Sequence, residues 1–293
     1  MHTLTPAPRT VRKDITLLDR GDGVRLALHR WTPPEPRAAV LYFHGLQSHA
    51  GWLWEAGPRY AEQGVAFFVL DRRGSGISDG ARGEIPDADT VLDDYAAALG
   101  HLRATVGEAL PLGLFGHCLG GSFLAALLHH RALTVAPDSV LFCSAPLGRM
   151  HATFSAEQRA RLTERPGDGV WEPGLAAADF SDLARYRDFI DGDDLAVRTL
   201  THRSRAVLLD LERLYVTAEG TLKDVPAAYV SGHRDPVVDL EQSRHVFARL
   251  TARRGRIREL PTDKHYLYFT DVRDELIAWS AAFLGGERAG HDG

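Results

Sequence analysis

The chain has 293 residues, 44% hydrophobic and 25% charged, with 34 Lys and Arg against 39 Asp and Glu. Its two cysteines, Cys118 and Cys143, are too few for a disulfide framework or a four-thiolate metal site. No apolar run nears the roughly 18 residues that span a bilayer, and no long basic block points to nucleic acid.

The N-terminal residues 1–14 are basic but have neither an apolar stretch nor a small-residue cleavage pattern, so no secretory signal is expected and the expected location is cytoplasmic. Residues 11–17 and 24–31 flank Gly21-Asp22-Gly23 and predict an antiparallel hairpin. Residues 38–43 and 65–70 are unbroken apolar runs, as strands buried on both faces should be. A helix is expected between them over 52–63, closed by Gly64. Helix 90–105, strand 112–115, helix 119–131 and strand 139–143 follow, the alternation of βαβ units around a mostly parallel sheet.

The texture changes near residue 147. Residues 148–222 are rich in Arg, Asp, Leu and Ala and hold no strand-like run longer than a few residues, which predicts a mostly helical insertion. Strand 225–230, helix 240–250, strand 257–260 and helix 272–284 then resume the sheet pattern. Arg253, Arg254, Arg256 and Arg258, the densest basic stretch, read as a solvated turn between a helix and a strand. The expected organisation is a first core part over 1–146, an insertion over 147–222, a second core part over 223–286 and a frayed tail over 287–293.

The chemistry-bearing segment is 112–121, Leu-Gly-Leu-Phe-Gly-His-Cys-Leu-Gly-Gly, a strand running into a helix with a nucleophilic side chain at the turn. Such an elbow strains its central residue, so the positions two before and two after must lack bulk; Gly116 and Gly120 meet that demand. Cys118 then lies at a helix N-terminus, where free N–H groups favour a thiolate. A nucleophile of this kind needs a base and an orienting carboxylate, arriving later in the order acid, then His. Asp235 follows strand 225–230, and His265 follows strand 257–260. His233 competes as base but lies two residues from Asp235; Asp263 and Asp239 compete as acids. After strand 38–43, the turn His44-Gly45-Leu46 can direct the Leu46 N–H into the site to share an oxyanion with that of Leu119.

Together these residues resemble the α/β-hydrolase superfamily, within it the monoacylglycerol lipase and lysophospholipase-like branch. The resemblance covers nearly the whole core and rests on the elbow, His44-Gly45, residues 71–80 (Asp-Arg-Arg-Gly-Ser-Gly-Ile-Ser-Asp-Gly), Arg82-Gly83, residues 232–238 and the His265 loop. It implies an α/β-hydrolase fold, with a mostly parallel eight-stranded sheet flanked by helices and a helical cap over about 147–222. It gives residues 71–80 a scaffolding role near the site.

The departure is Cys118 where this branch has serine, whether the cysteine is native or introduced. A thiolate, with a reference pKa near 8.5, leaves a tetrahedral intermediate far more readily than an alkoxide, so attack on a plain alkyl ester mostly reverts. Thioesters, activated lactones and aryl or enol esters avoid that penalty. The Gly-x-Cys-x-Gly-Gly elbow also looks like that of polyhydroxyalkanoate synthases, and cysteine elbows occur in dienelactone hydrolases, some thioesterases and Dieckmann-type cyclases.

The leading expectation is therefore a cofactor-independent enzyme that attacks an acyl ester or a free or carrier-bound thioester through Cys118, His265 and Asp235. An acyltransferase or cyclase using the same acyl-cysteine, and a catalytically silent binding scaffold, are the alternatives. His44, Trp52, Trp54 and His117 are candidates for contact with substrate. Phe154, Trp171, Phe180, Tyr186 and Phe189 could line an acyl pocket or form the insertion's own small core. His129-His130, and His49 near His44, lack a thiol or carboxylate at ligand spacing, so no metal is expected. Cys143, inside a strand, is expected to be an inert thiol.

Overall fold

A computed structural model describes residues 11–286. The sequence expectations for residues 1–10 and 287–293 lie outside the described residues. Strands β1 (Arg12–Asp19) and β2 (Arg25–Thr32) form the expected hairpin. Strand β3 (Ala38–Phe43) leads to a single 3-10 turn, Ala50–Leu53, and helix α1 (Ala56–Glu62). The helix expected over 52–63 is thus broken at its start. His49 caps the turn by accepting from the Gly51 N–H, and α1 begins only where Gly57 can approach Trp31; a Cβ at Gly57 would lie 2.4 Å from that indole.

Strand β4 (Val65–Leu70) precedes α2 (Ala88–Val106), whose N-cap Asp87 accepts from the Thr90 N–H at 2.7 Å. Strand β5 (Leu112–His117), α3 (Leu119–Leu127) and β6 (Ser139–Cys143) follow. The next 83 residues, from Ser144 to Pro226, carry α4 (Arg149–Thr153), α5 (Ala156–Glu164), β7 (Val170–Trp171), α6 (Ala177–Phe180), α7 (Ala184–Gly192), β8 (Leu200–Thr201) and α8 (His202–Tyr215). Here β7 and β8 pair as a two-residue antiparallel ribbon, too short to leave a period in the sequence. Strand β9 (Ala227–Gly232), α9 (Leu240–Leu250), β10 (Arg256–Leu260) and α10 (Arg273–Leu284) complete the chain.

The main sheet runs β1-β2-β4-β3-β5-β6-β9-β10. The pairs β1/β2 and β2/β4 are antiparallel and all the others parallel. Strand alternation divides the apolar interior into two clusters. Ala39, Leu41 and Phe43 of β3 and Ala66, Phe68 and Leu70 of β4 face the helices α2, α3 and α8. Val40 and Tyr42, with Val65, Phe67 and Val69, face α1 and α10. Each large side chain buried in this way contributes about 1.5–3 kcal/mol of transfer free energy, which fixes the register of the central strands. Their C-terminal ends therefore all reach one edge, where functional groups of open α/β sheets collect. Among the described residues, no helix is long and apolar enough to cross a membrane.

Candidate active site

The turn between β5 and α3 places Cys118 at φ 51°, ψ −131°, a left-handed conformation that a non-glycine residue adopts only under constraint. The constraint is visible in the backbone: the Cys118 N–H donates to Cys143 O at 2.9 Å, and Cys118 O accepts from the Gly121 N–H at 2.9 Å. A Cβ at Gly120 would lie 2.0 Å from Phe43 O, and one at Gly116 would lie 2.6 Å from Gly121 Cα. Gly120 thus lets α3 press against the end of β3, and Gly116 lets the elbow fold α3 tightly back on β5. Gly45 serves the same purpose from the other side, since a Cβ there would sit 3.1 Å from Cys118 Cβ and 3.5 Å from Sγ.

Asp235, in the loop after β9, accepts from the backbone N–H groups of Val237 and Val238 at 2.9 and 3.0 Å. Its carboxylate faces His265 Nδ1 at 2.9–3.0 Å. Both side chains are fully buried. This pairing turns Nδ1 toward Asp235 and leaves Nε2 to act on the Cys118 thiol. Burial opposes ionisation of Asp235, but the charge and N–H of His265, with the two backbone donors, outweigh it and hold its pKa below the usual carboxylate value. The competing groups lie elsewhere. Asp263 is exposed, Asp239 caps α9, and His233 is exposed beside Glu259 at 3.7 Å.

The thiol and imidazole shift in opposite directions. Burial disfavours the Cys118 thiolate, yet the charge and hydrogen bonding of His265 and the backbone N–H groups of Leu119 and Leu46 more than compensate, so the pKa falls below the ordinary thiol value. Burial likewise disfavours a charged His265, but the Cys118 and Asp235 charges push its pKa up to about 10. The two shifts together favour a thiolate–imidazolium pair. Cys143 behaves differently: burial drives its pKa well above the ordinary value, and it stays a neutral core thiol.

The orientation of the Leu46 N–H has a cause the sequence did not reveal. Arg72, buried after β4, donates from Nη1 to the carbonyls of His44 and Gly45, each at 2.9 Å, and from Nη2 to that of Leu46 at 3.3 Å. With three carbonyls turned toward the guanidinium, the turn exposes its N–H side to Cys118. Asp71 anchors the neighbouring segment, accepting from Ala50 N at 2.7 Å and Ile77 N at 3.0 Å and contacting His29 Nε2 at 3.1 Å. Residues 71–80 act as the expected scaffold.

Cys118 opens into an apolar cavity of about 170 Å³. Leu46, Leu119, Ser122 and Pro146 close its inner end, and α8 supplies Leu208, Leu211 and Glu212. Of the four residues expected to contact substrate, none lines this cavity. His44 is fully buried, its Nε2 accepting from the Arg72 N–H at 3.0 Å. His117 packs edge-on against Tyr266 at 4.8 Å, and burial drives its pKa down to about 3. The Trp52 indole donates to Asp193 Oδ2 at 2.6 Å and packs among Phe180, Tyr266 and Phe269. Trp54 is 38% exposed and packs edge-on against Phe189 at 4.5 Å and tilted against Phe269 at 5.3 Å. These indoles fill the seam between the insertion and the opposite face of the sheet. The insertion's aromatics divide accordingly: Phe154 and Trp171 line the cavity, while Phe180, Tyr186 and Phe189 join Trp52 and Trp54 in that seam.

Among the described residues, no group of three or more His, Cys, Asp or Glu side chains could hold a metal ion. The sheet order and the C-terminal-edge loops define an α/β-hydrolase fold.

The chain belongs to the family described as serine aminopeptidase S33, whose model matches residues 34–271. It is similar to a monoacylglycerol lipase of Mycolicibacterium smegmatis, 33% identical over 105 residues, which are 36% of this chain and 37% of that protein. It is also similar to an uncharacterised abhydrolase domain-containing protein of Dictyostelium discoideum, 37% identical over 101 residues, 34% of this chain and 10% of that one. The matched segments therefore span little more than a third of these curated relatives at most. In three dimensions it is similar to a soluble variant of monoglyceride lipase from Saccharomyces cerevisiae solved with a substrate analog, at a TM-score of 0.80 and 16% identity, covering 98% of this chain and 100% of that one. At that identity the likeness is one of fold.

Proposed function

We propose that the protein is an acyl-transfer enzyme, an ester and thioester hydrolase, in which Cys118 is the nucleophile, His265 the acid and base, and Asp235 its orienting partner. The observation that carries this reading is the Cys118 thiol placed between His265 and the N–H groups of Leu46 and Leu119, at the base of an apolar cavity. The monoacylglycerol lipase relative supports an ester as substrate.

In the first half-reaction the thiolate attacks the acyl carbonyl carbon and the carbonyl electrons move to oxygen, where the two N–H groups stabilise them. The bond to the leaving group then breaks and His265 Nε2 gives that group its proton. In the second, neutral His265 takes a proton from water, whose oxygen attacks the acyl-thioester; the C–S bond breaks and the thiolate–imidazolium pair returns. A leaving group no more basic than the thiol lets the first half run forward. Thioesters and aryl esters are accordingly the expected donors, ahead of glyceride esters.

Intact-protein mass spectrometry after mixing with an acyl thioester and with a p-nitrophenyl ester tests this. A mass increase equal to the acyl group, absent in Cys118→Ala and decaying in buffer alone, is expected. An adduct that persists until an amine or alcohol is added would replace hydrolysis with transfer. No adduct from either donor would leave only a binding scaffold.

A further inference from the structure

Arg205 lies in the first turn of α8 and lines the cavity, on the same helix face as Leu208, Leu211 and Glu212. Its guanidinium lies over the rings of Phe154 and Trp171, with centroid distances of 5.1 and 4.8 Å. Rings engage the flat faces of a guanidinium, which leaves its N–H donors pointing along the plane. Arg205 makes no ion pair or hydrogen bond among the described residues, and its Nε is buried without a partner. Desolvation lowers its pKa, as expected for a cation held against apolar walls with no anion to offset the burial. The neighbouring Arg203, by contrast, approaches Asp168 at 3.7 Å.

The cavity's acid does not supply the missing charge. Glu212 lies seven residues further along α8, roughly 10 Å away along the helix axis. Its oxygens accept from Met150 N, His151 N and His151 Nδ1 at 2.8–3.0 Å. A second cation, the exposed Arg149, donates among the described residues only to a carbonyl, Val237 O at 3.0 Å. The cavity thus sets two arginines, Arg205 and Arg149, into a largely apolar lining, with its one carboxylate already engaged by residues 150 and 151.

We propose that this cavity is built for an acyl substrate with a carboxylate at the end remote from the reacting carbonyl, and that Arg205 is the residue that selects it. The role as a substrate site rests on the reading of Cys118 as the acylated group; the anion preference itself does not. A carboxylate accepting from the in-plane N–H donors would complete the ion pair the fold leaves open, while the intervening methylenes lie along Leu208 and Leu211.

The experiment uses the unreactive Cys118→Ala chain and two series of probes, the monomethyl esters of the dicarboxylic acids from glutaric to sebacic and their neutral dimethyl esters. For at least one chain length the half-ester should bind at least 10-fold tighter than the diester by calorimetry. Adding Arg205→Gln should bring the ratio to within about twofold of one, and Arg205→Lys should keep part of it. Equal binding at every length, tighter binding of the diesters, no binding of either, or a ratio unchanged by Arg205→Gln would each overturn the proposal. Half-ester selectivity in Cys118→Ala, with no acyl adduct in the wild-type chain, would leave the anion site standing and remove the enzymatic reading.

Discussion

Arg72 donates to the carbonyl oxygen of Leu46 at 3.3 Å, and the amide N–H of the same Leu46 acts on the Cys118 thiol from the other side. A cation that never touches the cavity therefore decides which side of the turn after β3 faces it. The direction of the Leu46 N–H is set by where the carbonyls are held as much as by Gly45, which lets the turn approach Cys118.

Arg72→Met should consequently act on turnover more than on binding. Removing one oxyanion donor commonly costs 10²–10³ in kcat, and a turn that is only loosened should lose about 10–10² with KM little changed. Steady-state kinetics on a p-nitrophenyl ester, with Tm as a control for folding, reads this. A rise in KM at constant kcat would mean that Arg72 shapes the cavity and not the donor.

The ion pair predicts an unusual pH profile. Cys118 ionises below its ordinary value and His265 holds its proton up to about 10, so the two titrate as a coupled pair. As pH rises, iodoacetamide alkylation of Cys118 should reach half its maximum below pH 9. Turnover should fall again only near pH 10, where the imidazolium proton is lost. In His265→Gln the alkylation midpoint should move up by at least one pH unit, because burial then acts on the thiol without the opposing charge. An unmoved midpoint would show the two groups to be uncoupled.

Cys118→Ser exchanges the leaving-group order on the enzyme. The ratio of alkyl-ester to thioester hydrolysis should rise at least 10-fold, since an alkoxide nucleophile is no longer the better leaving group against an alkyl ester. Competition between the two donor classes in one reaction measures the ratio directly. A ratio that stays constant would locate the rate limit outside the acylation step.

Two glycines separate packing from propensity. Gly120→Ala would place Cβ against the backbone of Phe43 and His44, at 2.0–2.7 Å, atoms that no rotamer change can move aside. A loss of more than about 3 kcal/mol, seen in chemical denaturation or as insoluble protein, is expected. Gly100, inside α2, has nothing within 4 Å of its Cβ position, and Gly100→Ala should stabilise by up to about 1 kcal/mol.

The sheet was legible because its central strands are buried on both faces and read as unbroken apolar runs, and the elbow because strain forces glycines at fixed offsets. Asp235 and His265 were reachable from strand ends alone. The cavity was not, since its walls come from α4, α8 and the loops after β6 and β9, which only tertiary packing brings together. Trp52 and Trp54 follow the His44-Gly45-Leu46 turn in sequence, but the 3-10 turn at Ala50–Leu53 directs them to Phe180, Phe189 and Phe269, away from the cavity. Arg205 had a signal that could have been used: residues 205, 208, 211 and 212 share a helix face, so two charged residues, Arg205 and Glu212, stand on the same inward face as Leu208 and Leu211.

The seam that holds Trp52 also makes the attachment of the insertion one-sided. Asp193 beside α7 is tied to His49 and Trp52, and Tyr186 to Glu55, which also pairs with Arg273 of α10. Helix α5, which follows the cavity-lining Phe154, contributes no buried residue. The insertion is thus anchored by buried polar contacts through α7 and carries a solvent-facing helix at α5.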